Sequence, residues 1–393
     1  MSDAPARVIA PPEFIADSAL RAVLAVLPRA RLVGGCVRDA LLQRAVSDID
    51  LATPDPPHAV SAALAAAGLR AVPTGIAHGT VTAVSGHRGF EITTLRRDVT
   101  TDGRHAVVEF TSDWRADAAR RDFTINAMSM RADGAVFDYF DGLDDLAAGR
   151  VRFVGEPSER IAEDYLRILR FFRFHARYGR GPPDAAAMVA IRAGVQGLAR
   201  LSAERVWHEL KRILTGPAVA DTVALMAMSG VLGAVLPEAG AIAPLARLCV
   251  NGAPEDAVLR LAALVTDDGT RAAARLKLSG AEAARLVGLR AAVAPADTAS
   301  DDDLRRALAD TPKEVLLGAC WLAGRDGALR DRLRALPVPL FPLQGRDLAA
   351  LGVPAGPAMG ELLRAVRTWW LAGGCVADAV ACREEVARRV AVP

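Results

Sequence analysis

Two carboxylates one residue apart, Asp48 and Asp50 in "SDIDLAT", follow closely on the glycine pair Gly34-Gly35. Side chains alternate along a strand, so in an extended segment both aspartates face one way while Ile49 faces the core. Carboxylates at that spacing repel each other unless a cation lies between them. Hard oxygen ligands of this kind suit Mg²⁺, which binds through one or two carboxylates plus substrate phosphates. Upstream, Gly34-Gly35 separates the apolar "RLV" from a helix-like segment carrying Val37-Arg38-Asp39. Glycines let backbone N–H groups approach phosphate oxygens, a helix start adds the positive end of its dipole, and Arg38 is within reach of the same anion. The GxxxxGK[ST] pattern is absent, which excludes a P-loop. These residues suit metal-dependent chemistry on a phosphorylated substrate; taken alone, a DxD is as readily a solvated strand end and a glycine pair an ordinary tight turn.

The elements that must hold them change character along the chain. Up to residue 150, helix and strand signals mix. Helices are expected over 19–27, 37–42 and 54–68, the last Ala-rich and ended by Gly68. Strands are expected over 31–33, 48–52, 80–84, 90–95 and 107–110. After about residue 155 strand signals stop and helical periodicity takes over, as in 161–178, 203–214 and 357–371. Gly/Pro breaks at 179–183, 216–217 and 337–342 punctuate the helices. The expected class is α+β: a head with a small sheet, then an all-helical remainder.

The 393 residues are enough for two to four domains, and 52% hydrophobic content excludes disorder. The long uncharged run 222–237 contains Ser229 and Gly230 and is shorter than the about 20 residues of a membrane span, so a buried helix or helix pair is expected there. The first residues lack the basic region and apolar core of a signal peptide. Five cysteines form no CxxC pair, which argues against a zinc site or a disulfide framework. A cytoplasmic protein with no membrane association is expected. Net charge is only +2, yet residues 150–212 hold 13 Lys/Arg against 7 Asp/Glu, a local excess of +6.

Further stretches occur in a fixed order: "RRDFTINAM" (120–128), "FDYFDGLDDLAAGRVRFVG" (137–155), "EDYLRILRFFRF" (163–174), "SAERVWHELKRIL" (202–214) and "QGRDLAALGVPAGPAMGELL" (344–363). The glycine pair followed by DxD resembles nucleotidyltransferases of the DNA polymerase β superfamily. With the later stretches, the chain closely resembles the bacterial class II tRNA nucleotidyltransferase and poly(A) polymerase family, over most of its length from residue 20. The resemblance implies a polymerase-β-like head (20–150) after an N-terminal extension (1–19), a helical neck (151–215), a body (216–335) and a tRNA-binding tail (336–393). It implies Asp48 and Asp50 as Mg²⁺ ligands and Gly34, Gly35, Arg38 and Arg121 at the triphosphate. Glu91 in "FEITTLR" matches the family's third catalytic carboxylate, with Glu109 as the alternative. A surface ion pair between Arg121 and Asp122 is the competing structural reading.

The "EDYLRILRFFR" stretch carries a physical argument of its own. On a continuous helix Asp164, Arg167 and Arg170 step by three and share one face, whereas Arg173 leaves it. The family pattern includes Arg173 all the same. Glu163 and Arg167 could instead form an ordinary i,i+4 pair. Arginine only donates and ionised aspartate only accepts. Cytosine and adenine offer a ring acceptor beside an amino donor, so an Asp–Arg pair complements both. Uracil and guanine offer an N–H and a carbonyl and leave groups unpaired. A protein side-chain pair could thus select CTP and ATP with no nucleic-acid template.

The resemblance therefore implies CCA addition to the tRNA 3′ end. Poly(A) polymerase is the nearest alternative, but the segment "TGIAHGTVTAV" has the CCA-type form. A loop within 96–110 sets the chain apart from CC-only members, and an A-only enzyme is a further alternative. A non-catalytic RNA-binding protein on the same fold would be signalled by loss of a metal carboxylate, and both are present.

Overall fold

The computed structural model describes residues 4–76, 79–101 and 106–391. The chain divides into two compact units, Met1–Val235 and Leu236–Pro393. In the first, ten strands form two sheets. They are β1 (Arg7–Val8), β2 (Arg31–Val33), β3 (Asp50–Thr53), β4 (Arg70–Gly75), β5 (Thr80–Ser85), β6 (Arg88–Thr94), β7 (Arg96–Thr101), β8 (Ala106–Phe110), β9 (Ser129–Met130) and β10 (Ala135–Phe137). The main sheet has eight strands in the order β1-β10-β9-β2-β3-β6-β5-β4, and β7 pairs with β8 apart from it. Only β3 and β6 run parallel; the other pairs are antiparallel.

The sheet is larger than expected, for reasons the sequence hides. β1, β9 and β10 are two or three residues long, too short for an alternating pattern to register. Residues 1–19, expected as an extension, contribute β1 against β10 and the start of the helix Ser18–Val26, which Asp17 caps. Residues 102–105, in the expected loop, lie outside the described residues.

Two expected elements are displaced where it matters. The strand bearing the aspartates begins at Asp50, so Asp48 precedes it, although Ile49 is buried and both aspartates are exposed as alternation requires. The helix expected over 161–178 is two helices, Pro157–Glu163 and Leu166–Tyr178. Asp164 between them is extended, with φ −154° and ψ 104°. Five phenylalanines decide this region. Phe123 lies 5.0 Å from Phe153 and 5.1 Å from Phe174, Phe153 stacks on Phe171 at 5.8 Å, and Phe172 meets Phe171 edge-on. Each buried ring contributes about 1.5–3 kcal/mol, so anchoring the second helix outweighs the few tenths that continuing one helix would gain.

The second unit is helical throughout its described residues, from Ala243–Val250 to Ala379–Val390. One core cluster gathers Leu304, Leu308, Leu316 and Cys320; another gathers Leu348, Val366, Trp370 and Val386. The expected 222–237 helix pair is Val219–Met228 and Val231–Val235, broken at Ser229-Gly230. Among the described residues no helix is long and apolar enough to cross a membrane.

Candidate active site

Strand register assembles the acidic part of the site. Val33 pairs with Asp50 across β2 and β3, so the Gly34 turn leaves the sheet beside Asp50. Asp50 pairs in turn with Glu91 across the parallel β3 and β6. Laterally paired residues share a face, so the two carboxylates are neighbours. Glu109 is elsewhere, on β8 of the second sheet, bonded to Arg97 at 2.8 Å. The structure thus brings Glu91, and not Glu109, to the aspartates.

The electrostatics agree with the geometry. The cleft partly dehydrates the Asp50 carboxylate, and Glu91 and Asp48 add negative charge; together these outweigh Arg121 and hold the Asp50 carboxyl above its ordinary pKa of 3.8. Clustered carboxylate charge of this kind is relieved by a cation. The donor set, two aspartates and a glutamate with room for phosphate oxygens, fits a hard ion such as Mg²⁺. Among the described residues no three His, Cys, Asp or Glu side chains gather closely enough to hold a metal ion.

A cavity of about 510 Å³ opens from this edge, reached by Gly34, Gly35, Arg38, Asp50 and Arg121 on the sheet side, and by Asp164, Arg167 and Arg170 from the helices that follow. Gly34 has φ +71°, and a Cβ there would stand 3.2 Å from Arg121 Nη1, so the turn both needs the left-handed region and lets the guanidinium pass close. The surface pair considered for Arg121 and Asp122 does not form. Arg121 Nη2 donates to Asp117 at 3.3 Å, while Asp122 bonds Arg170. Arg38 is deeply held: its side chain is 8% exposed against 20% for Arg121, and it donates to Asp39 and to Asn126. Arg121 is therefore the more accessible of the two arginines assigned to phosphates.

On the neck side, Asp164 reaches the cavity from the break and not from a helix face. One of its carboxylate oxygens accepts the Leu166 N–H at 3.1 Å, and the other accepts from Arg205 Nη2 at 2.7 Å. Arg167 does pair with Glu163, at 2.6 Å, and also donates to the carbonyls of Arg160 and Arg120, so it ties the two helices to the "RRDFT" segment. Arg170 lines the cavity while bonded to Asp122 at 2.6 Å. Arg173 does not line it; its guanidinium turns to the buried Glu209.

Asp122, Asn126 and Arg205 line the same cavity and escape the sequence assignment. Their signal was present, since all three lie inside "RRDFTINAM" and "SAERVWHEL". Nothing in spacing alone aims them at the cleft. Burial disfavours the Asp122 carboxylate, yet Arg170, Asn126 and the Phe123 N–H hold its pKa below the ordinary value.

The break itself rests on a close approach. A Cβ on Gly197 would lie 1.9 Å from Tyr165 Cε1. Gly197→Ala should push Tyr165 aside, cost about 1–3 kcal/mol of stability as overpacking does, and move Asp164 with it. Thermal unfolding checks this: the midpoint should fall.

A mixed sheet presenting paired carboxylates beside a glycine turn, with an arginine-lined helical wall, defines a nucleotidyltransferase of the polymerase-β type. Residues 30–152 match the family model for the poly A polymerase head domain, and residues 183–242 match one described as a probable RNA and SrmB-binding site of polymerase A. The mitochondrial CCA tRNA nucleotidyltransferase 1 of Mus musculus is 39% identical over 363 residues, covering 88% of this chain and 83% of the mouse protein. The CCA-adding enzyme of Limosilactobacillus fermentum is 39% identical over 200 residues, covering 50% and 48%. The solved structure of the Bacillus stearothermophilus CCA-adding enzyme in complex with CTP superposes with a TM-score of 0.71 at 26% identity, covering 91% and 94%. The chain belongs to the CCA tRNA nucleotidyltransferase family. Enzymes of this family generally use a divalent metal.

Proposed function

We propose that this chain adds C, C and A to the 3′ end of tRNA from CTP and ATP, releasing pyrophosphate, with its own side chains in place of a template. The observation that carries the reading is the cavity itself, which joins Asp50 and the glycine turn to Asp164, Arg167 and Arg170 in one space. In this reading Arg121, Arg38 and the Gly34-Gly35 backbone hold the triphosphate, while Asp164 accepts the base amino group and the neck arginines donate to ring acceptors. The acceptor's 3′-oxygen bonds to the α-phosphorus as the bond to the pyrophosphate leaving group breaks. Mg²⁺ held by Asp48 and Asp50, with Glu91 beside them, would activate that hydroxyl and neutralise the leaving group. Holding the reacting atoms in line is the larger part of the protein's task in phosphoryl chemistry.

We assign residues 20–150 to the catalytic head, 151–215 to the neck, 216–335 to the body and 336–393 to a tail that grips tRNA through phosphates and shape. The five cysteines are all free, in keeping with the reducing cytoplasm. The test is to incubate the protein with tRNA lacking its terminal nucleotides, each labelled NTP and Mg²⁺, and to size the products. Three added residues with CTP and ATP together support the reading. A long adenylate tail or a single A transfers the chain to the alternatives within the family, and no incorporation overturns it. Deleting residues 102–106 should spare the two C additions and cripple the A. Equal loss of both would assign that segment a general folding role.

A further inference from the structure

Four side chains form an unbroken hydrogen-bonded line across the cleft. Arg38 Nη1 donates to Asn126 Oδ1, and Asn126 Nδ2 donates to Asp122 Oδ1 at 3.0 Å. Asp122 Oδ2 accepts Arg170 Nε at 2.7 Å and Nη2 at 2.6 Å. The three head members are all nearly dry, with Arg38 and Asn126 at 7% exposure and Asp122 at 8%. One end lies beside the glycine turn and the other on the neck helix Leu166–Tyr178.

We propose that Asn126, with Asp122, is a positioning residue that locks the phosphate-side arginine Arg38 to the base-side arginine Arg170, so that one rigid unit sets both ends of the nucleotide. The inference rests on the proposed nucleotidyl transfer. The amide is suited to the task because it both accepts and donates in fixed directions without carrying charge. Its oxygen must face a guanidinium and its nitrogen a carboxylate, so turning it over would set donor against donor and acceptor against acceptor. Neighbours stiffen each end. Asp39 takes two further bonds from Arg38 and accepts one from the Tyr178 hydroxyl, at 3.0 Å, on the same neck helix. Low local polarity makes the middle of the line costly to break. No water is needed to close any of its gaps.

Coupling has a signature that separate supports lack. If Asn126 served the phosphate end alone, its loss would slow all four nucleotides alike. If it served only stability, the folded protein would keep its selectivity. As a coupler, its loss should do two things at once. Misplacing the triphosphate against the acceptor should cut kcat for CTP about tenfold to a hundredfold with KM changed much less. Releasing Arg170 should raise UTP use relative to CTP by about tenfold, one charge-assisted bond's share of the selectivity.

The experiment measures kcat and KM for CTP, ATP, UTP and GTP on tRNA lacking CCA, in wild type, Asn126→Ala and Asn126→Asp, with thermal unfolding and tRNA binding alongside. Asn126→Asp keeps the volume but sets a carboxylate against Asp122, so it breaks the same link if the alanine variant does not fold. Loss of kcat together with a relaxed CTP to UTP ratio in a folded variant supports the coupling. An unchanged ratio, or four nucleotides slowed alike, overturns it while leaving the proposed function standing. A wild-type protein that incorporates neither CMP nor AMP overturns both.

Discussion

Asp50→Asn should abolish incorporation of both CMP and AMP while leaving tRNA binding intact. Asp50 faces Glu91 across the parallel strands, with Asp48 adding to the same negative field. If Asp50 holds the metal as proposed, removing it forfeits about 4 kcal/mol of transition-state stabilisation, roughly a thousandfold in rate. The loss should be the same for both nucleotides, because the acidic edge sees phosphate and hydroxyl and not the base. Stability should move the other way. The folded-state pKa of Asp50 lies above 3.8, so ionising it works against folding: stability is greater below the unfolded pKa and declines as pH rises through the folded one. At pH 7 without divalent metal, the asparagine variant should unfold at the same temperature as wild type or a higher one. Asp48→Ala is expected to share the loss of activity. Single-turnover assays with calorimetry decide the matter, and near-normal turnover in either variant would remove the metal-carboxylate assignment.

Asp164→Ala should change which bases are used more than how fast the right ones react. In the proposed reading Asp164, at the helix break, accepts the base amino group, so removing it removes the group that would penalise a carbonyl there. Arg205, which donates to it at 2.7 Å, also loses that acceptor. Use of UTP and GTP should therefore rise against CTP and ATP by about tenfold to a hundredfold, the worth of one charge-assisted hydrogen bond of about 1.5–3 kcal/mol. Replacing Arg38 should instead lower all four nucleotides, since phosphates carry no base identity. The four kcat/KM values in both variants distinguish these outcomes. An Asp164 variant that loses CTP and ATP use at an unchanged ratio would reduce the segment to a joint between helices.

The residue types proposed to do the chemistry are legible along the chain because they sit in short stretches of strong local signal. Alternation places Ile49 inside and both aspartates outside; a glycine pair marks the turn at φ +71°; and the helix Ala203–Leu214 begins and ends where its periodicity says. Arg173 steps from Arg170 by the same three residues that separate Arg170 from Arg167, yet its guanidinium turns to the buried Glu209. Local pattern, however, carries no register. That Glu91 and not Glu109 stands beside Asp50 follows from which strands pair, a choice made by the whole sheet. Strands of two or three residues, such as β1 and β9, exist only because partners complete their hydrogen bonds. Asp164 shows the limit most plainly. Its neighbours favour one long helix, and the geometry inferred from that helix places it on a common face with Arg167 and Arg170. Instead the buried phenylalanines, and Tyr165 seated against Gly197, break the helix there and deliver the carboxylate to the same cavity by another route. Packing energies of several kcal/mol outweigh helical preferences of a few tenths, so local pattern settles which side chains are available and the tertiary core settles where they meet.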